Sequence, residues 1–129
     1  MDQPRNAFPK RERLKGATRI KEVALAGKSV NVPPLRLAGK LMALPTSAPA
    51  QAAFAAPSRN LPRAVDRNRV KRLMREAYRL HKQPHLDRLR AAGLQCAWLF
   101  IFQGREPLTF AETRSRLVMA MERWMRQHV

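Results

Sequence analysis

Few side chains in this 129-residue chain are typed and spaced to do chemistry: nine scattered acids, three histidines, one cysteine, and 26 lysines and arginines. Hydrolysis by a free-standing nuclease needs a metal-holding carboxylate cluster or a His-based acid–base pair, and the acids here stand singly with no paired motif. His81 and His85 are four apart, a metal-like spacing, but Pro84 breaks the helix between them and no Cys or acid pattern completes a site. Cys96 cannot form an internal disulfide; inside CAWLFIF it reads as a buried strand residue rather than a nucleophile. What remains is charge. A net +17 and a pI near 11.8 repel themselves in a compact state, which is understandable if the partner is a polyanion. Aromatics make up only 6%, so phosphate contact is expected to dominate over base stacking.

The basic residues concentrate in one stretch, AVDRNRVKRLMREAYRL, residues 64–80. At about 100° per residue, a helical wheel gathers Val70, Leu73, Met74, Ala77 and Leu80 on one side, which is expected to face a sheet. The opposite arc collects Arg67, Asn68, Lys71, Arg72, Arg75, Arg79 and Lys82, with Glu76 and Arg69 near the boundary. Like charges at i,i+4, such as Lys71 with Arg75, each cost roughly 0.2–0.5 kcal/mol in an isolated helix. A merely solvated face usually mixes signs, and this arc does not. RNA phosphates would offset the repulsion, and the planar arginine fork can bind two phosphate oxygens at once. Tyr78, at the edge of the arc, reads as a ring packed at the helix boundary rather than a base-stacking group.

The elements that must position this face follow from punctuation and periodicity. Residues 1–15 are polar and basic with Pro4 and Pro9, a flexible arm ahead of a single domain at 16–129. Residues 18–26 form a short first helix, with Thr18 as N-cap and Gly27 as the residue that stops it. Stretches 29–44 and 52–57 read as strands joined by a loop at 45–51, with Pro33 and Pro34 marking an edge or a bulge. The basic helix starts near Leu61, after Asn60 and with Pro62, and stops at Pro84. CAWLFIF, residues 96–102, is apolar throughout and fits a central strand buried on both faces. Thr109 and Glu112 make a capping box ahead of a last helix whose stripe of Phe110, Leu117, Met121 and Trp124 belongs to the core. The order α-β-β-(β)-α-β-α, one strand being optional, gives an α+β class: a single-domain α/β sandwich with helices packed on a sheet.

A mean hydropathy of -0.45 excludes an integral membrane protein, and the longest apolar run is far shorter than a spanning helix. The N-terminus carries charge with no apolar segment behind it, so no signal peptide is expected and a cytoplasmic location follows. A membrane-surface role is disfavoured because the basic helix has an ordinary buried face rather than a bulky aromatic one.

The stretch 63–79 resembles the RNR signature of the bacterial ribonuclease P protein, matching at Ala64, Val65, Arg67, Asn68, Arg69, Lys71, Arg72 and Arg75. KRERL at 10–14 is similar to the family's N-terminal run, as are Gly27 and Ser29 after the first helix. The resemblance implies a sandwich whose signature helix lies in a left-handed β-α-β crossover, against the usual right-handed rule. It implies the non-catalytic protein subunit of ribonuclease P, with a catalytic RNA and precursor tRNA as partners and neither a membrane nor a small-molecule substrate. Magnesium would be held mainly by the RNA, and the protein itself would hold no metal and supply no catalytic residue. Arg13, Arg63, Arg67, Asn68, Arg69, Lys71, Arg72 and Arg75 are the implied RNA contacts, and the basic arc adds Arg79 and Lys82. A cleft between the first helix and the sheet would receive the precursor's 5′ leader at Arg19, Ile20, Lys21, Leu35 and Arg36. Where similar proteins present aromatics to the leader, this chain has Ile20, Ala24, Leu35 and Ala38. Composition alone also fits a ribosomal or nucleoid protein that binds folded nucleic acid without taking part in a reaction; stimulation of precursor cleavage by the catalytic RNA separates the two.

Overall fold

Alternate residues of CAWLFIF point to opposite sides of a sheet, and both sides are covered. The computed structural model describes residues 7–129. In it β4 (Cys96–Phe102) is an inner strand, flanked by β2 (Leu35–Leu41) and β3 (Ala50–Ala55), with β1 (Lys28–Val32) outside β2. The β1–β2 and β2–β4 pairs are antiparallel and β3–β4 is parallel. Cys96, Trp98, Phe100 and Phe102 enter the larger core, under α2 (Ala64–His81), α3 (Gln83–Ala92) and α4 (Phe110–His128). Ala97 and Leu99 enter a smaller core under α1 (Ala17–Ala26). The result is an α+β sandwich, with a mixed sheet between one helix and three.

The parallel pair is connected through α2 and α3, and the hand of that connection follows from chirality. With the α2 side toward the viewer and β3 running upward, Ala52 points at the viewer, because it belongs to the α2-side core. An L-residue so placed directs its N–H and C=O to the right. The Ala52 carbonyl accepts from the Leu14 amide at 2.9 Å, so β4 lies on the left and the crossover is left-handed, the rare sense.

Several sequence expectations are corrected. Residues 1–6 of the expected arm lie outside the described residues, but from Ala7 onward the segment is part of the fold. Phe8 packs edge-on against Phe54 and Tyr78, Lys10–Glu12 form a 3-10 turn, Arg13 bridges Ala52 in parallel fashion, and Leu14 is buried. The first helix begins after Gly16, one residue before the expected cap Thr18. Gly27 follows α1 with an extended backbone (φ -73°) rather than a left-handed one. It is required by proximity instead: a Cβ there would lie 2.4 Å from the Val23 carbonyl oxygen and 3.0 Å from that of Gly39. Pro33 and Pro34 are the connection between β1 and β2, joined by a cis bond. Because β1 is an edge strand, their missing donors cost no inner ladder bond.

Pro84 does not simply stop a helix. α2 ends at His81, and Pro84 sits in the first turn of α3, where its absent N–H would have no partner anyway. The α2 stripe is also rotated from the expected one: Val70, Met74, Ala77 and Tyr78 are buried, Leu73 is half-buried and Leu80 is 43% exposed. The Tyr78 ring accounts for the rotation. It lies 5.5–6.1 Å from the rings of Phe8, Phe54, Trp98 and Phe100, a larger apolar surface than Leu80 could bury. The capping box forms as expected, with Thr109 Oγ1 accepting from the Glu112 amide at 3.1 Å and Glu112 accepting in return from the Thr109 amide at 3.2 Å.

Candidate nucleic-acid interface

Turning Tyr78 inward decides which basic side chains face outward. Asn68, Arg69, Arg72 and Arg75 are exposed and Lys71 is half-buried; with Val65 they line an open groove along α2. No hydrogen bond or ion pair engages the Arg69, Lys71, Arg72 or Arg75 side chains among the described residues. Like charges spaced one turn apart with no acid between them create a field that anions relieve.

Of the remaining candidates on and beside this helix, three are committed elsewhere. Arg67 Nη1 donates to the Leu61 and Pro62 carbonyls at 2.9 and 2.8 Å, clamping the segment that leads into α2. Arg63 is highly exposed and 4.0 Å from the Asp66 carboxylate. Arg79 Nε donates to Glu76 Oε1 at 3.1 Å, and that bond, the largest cause, holds the Glu76 carboxyl below its ordinary range. So the arc is not free of acids, and Arg79 is charge-matched. Lys82 is corrected outright. Its side chain is 1% exposed, its ammonium paired with Glu12 and bonded to the Ala7 carbonyl. Expected to be outward on a continued helix, it lies in the junction between α2 and α3, facing the N-terminal segment.

On the other side of the sheet, the cleft candidates divide. Ile20 packs on the smaller core, and Arg19 and Lys21 extend from the same helix. Arg36, half-buried on β2, donates from Nε to Ser29 Oγ at 3.1 Å. Leu35 does not belong with them: it is 1% exposed in the α2-side core, since neighbouring strand residues face opposite ways. The apolar positions on the α1 side are aliphatic, with Ile20, Ala24, Ala53, Ala55 and Ile101 partly buried there. Lys40 pairs with Glu22 at 3.3 Å, tying β2 to α1. Arg13 is half engaged, its Nε and Nη2 donating to the Phe8 carbonyl at 3.2 and 3.1 Å. The cations beside it, Lys10, Arg11 and Lys15, were not singled out by sequence; the signal available was the KRER run itself.

His81 and His85 fall on different helices, and among the described residues no group of three or more His, Cys, Asp and Glu could hold a metal ion. Burial pushes the Cys96 thiol well above its ordinary range, so the thiolate that would make it a nucleophile is suppressed. Among the described residues no helix is long and apolar enough to cross a membrane.

Fold and surface together define a small basic α+β sandwich that displays one cationic helix face on a rare left-handed crossover. A family model for ribonuclease P matches residues 8–127, and the chain belongs to the ribonuclease P protein family. It is similar to the ribonuclease P protein component of Chlorobaculum tepidum, 38% identical over 87 residues, which cover 60% of this chain and 52% of that protein. To the corresponding component of Chlorobium phaeobacteroides it is 41% identical over 81 residues, 60% of this chain and 56% of that one. The matched stretch thus spans little more than half of these relatives. The RNase P protein of Staphylococcus aureus shares the fold, with a TM-score of 0.69 at 18% identity over 88% of this chain and 94% of that one.

Proposed function

We propose that the chain is the protein subunit of ribonuclease P, a cytoplasmic ribonucleoprotein in which it binds the catalytic RNA and the 5′ leader of precursor tRNA. The observation that carries this reading is the run of Arg69, Lys71, Arg72 and Arg75 on one helix face, unmatched by acids among the described residues, inside a chain of this family. Guanidinium forks suit phosphate oxygens, and the left-handed crossover presents them on the outer surface of the sandwich. The leader would cross the α1 side, held by Arg19, Lys21 and Arg36 over an aliphatic floor rather than by ring stacking. Such a floor offers bases contact without geometric selectivity.

Hydrolysis of the phosphodiester is then the work of a metal-activated water, with magnesium carried by the RNA. In this reading the protein supplies no metal ligands of its own. Its share is positioning and charge neutralisation. Adding purified protein to the catalytic RNA and a precursor tRNA tests the reading: 5′ cleavage should rise at low magnesium and moderate salt, and protein with magnesium but no RNA subunit should leave the precursor intact. Accurate 5′ processing by the protein alone would overturn it.

A further inference from the structure

β1 is the outer strand at the edge of the sheet away from β3, and one row of its backbone groups has no strand to bond. Which row follows from the neighbouring ladder. The Gln103 amide donates to the Pro34 carbonyl at 2.8 Å and the Met42 amide to the Gln95 carbonyl at 3.0 Å, so the even-numbered residues of β2 direct their backbone groups toward β4. Leu35, Leu37 and Gly39 therefore bond toward β1, where they face Val32, Val30 and Lys28. That leaves the N–H and C=O groups of Ser29 and Asn31 pointing outward, and both residues are exposed.

The rim of this edge is cationic. Arg123 reaches from α4 to the Asn31 carbonyl at 3.5 Å, and Arg116 to the Pro33 carbonyl at 3.4 Å, both longer than an ordinary hydrogen bond. Lys28 is exposed at the start of the strand. No ion pair engages Lys28, Arg116 or Arg123 among the described residues. Glu112 feels Arg116, yet its carboxyl is held below the ordinary range first by hydrogen bonds from Thr109, in the capping box.

We propose that this edge is a docking site for an extended acidic segment of a partner protein, which pairs with β1 as an added strand. Main-chain groups of the segment meet the outward groups of Ser29 and Asn31, the general mode of strand addition. Its carboxylates, on alternate residues about 7 Å apart, meet Arg116 and Arg123, whose guanidiniums give up their long bonds to the Pro33 and Asn31 carbonyls. Charge and hydrogen-bonding capacity decide between occupants. A second copy of this chain, also +17, would bring Lys28, Arg116 and Arg123 of both copies to one seam. A phosphodiester suits the arginines, but phosphate oxygens only accept, and the Ser29 and Asn31 carbonyls need donors. The edge is also the one opposite β3, the strand on which α2 packs, so RNA on the α2 face leaves it open.

A fluorescein-labelled peptide of alternating glutamate and valine, titrated into the whole protein at moderate salt, tests this. The control is the same peptide with every internal amide N-methylated, which keeps the charge and cannot pair as a strand. The unmodified peptide should bind about tenfold or more tightly than the control, and it should slow hydrogen exchange at the Ser29 and Asn31 amides. Asn31→Pro removes one outward N–H at an edge position, where proline is tolerated, and should erase the difference between the peptides. Arg123→Glu reverses an exposed rim charge and should weaken the unmodified peptide by a similar factor with an unchanged dichroism spectrum; it decides the matter even if Asn31→Pro fails to fold. Equal binding of the two peptides to wild-type protein, or exchange at Ser29 and Asn31 that does not slow, overturns the proposal. So does protection of those amides by a ten-nucleotide RNA in place of the peptide, or by raising the protein concentration alone, results that would give the edge to RNA or to a second copy.

Discussion

The ammonium of Lys82, one residue beyond α2, is buried against the carboxylate of Glu12, 70 residues earlier in the chain. The pair pins the N-terminal segment to the junction of α2 and α3, where Lys82 also bonds the Ala7 carbonyl and lies 5.9 Å from the centre of the Phe8 ring. Removing either partner leaves an uncompensated charge in the interior.

Lys82→Met should therefore destabilise the protein by about 3–5 kcal/mol. Adding Glu12→Gln to it should restore much of the loss, since the stranded carboxylate is then gone. Urea denaturation of the single and double variants measures both effects. If Lys82→Met were instead as stable as wild type and merely bound RNA less well, Lys82 would be an outward phosphate contact after all.

How much of this was legible in the sequence depended on the range of the interaction responsible. CAWLFIF announced an inner strand because its pattern is local, and TFAE announced the start of α4 because a capping box closes within one turn. The signature helix was legible as a helix, but its phase was not. Leu80 and Tyr78 compete for the interior, and the decision is made by Phe8, Phe54, Trp98 and Phe100, which lie far away in the chain. α3 was missed because Pro84 carries the same local meaning at a helix end and in a first turn. The burial of Lys82 was invisible for a simpler reason: nothing near it in sequence distinguishes a lysine that has found Glu12 from one that faces water. The cationic groove was legible in part: Asn68, Lys71, Arg72 and Arg75 of the expected arc lie along it, joined by Arg69, which spacing puts near the boundary and only the family resemblance singles out, whereas Arg67, Arg79 and Lys82 of that arc do not.

The two faces of α2 should separate binding from folding. Arg72→Glu with Arg75→Glu reverses two exposed charges and should abolish association with the catalytic RNA while leaving the circular dichroism spectrum unchanged. Met74→Asp places a carboxylate at a fully buried position and should unfold the domain, an unpaired interior charge costing several kcal/mol. Leu73→Asp, at a half-buried position, should cost less. Gel shift and dichroism on the three variants distinguish the outcomes, and a folded Met74→Asp protein would mean that the α2 register is wrong.

At high pH the aromatic cluster should titrate. Burial, the largest cause, raises the Tyr78 phenol well above its ordinary value of 10.0. The folded state therefore keeps a proton that the unfolded chain releases, so the stability tied to this group is complete below pH 10 and is lost as pH rises through the folded-state value. Burial moves the Cys96 thiol in the same direction. Tyr78→Phe should be close to neutral at pH 7, because the hydroxyl has no hydrogen-bond partner among the described residues, and should flatten the alkaline loss. Thermal melts from pH 8 to 11 provide the check. A wild-type protein whose stability is level across that range would contradict the burial of the phenol.

Salt dependence should count the cations that the α2 groove offers. With Lys82 buried and Arg79 matched by Glu76, the side chains left for phosphate are Arg69, Lys71, Arg72 and Arg75. Four contacts at about 0.7–0.9 each give a slope of log K against log salt near -3 to -4 for this face, so a fourfold rise in salt should weaken its binding by roughly two orders of magnitude. Arg69→Gln and Arg75→Gln should each lower the slope by about one. They should do so equally, because both side chains are exposed and neither has a partner among the described residues. Arg79→Gln should lower it less, since its guanidinium already donates to Glu76. Titrations of the catalytic RNA at four salt concentrations resolve differences of this size. A loss for Arg79 as large as for Arg75 would show that RNA draws Arg79 away from Glu76 on binding, and that the contact surface extends a full turn further toward the end of α2.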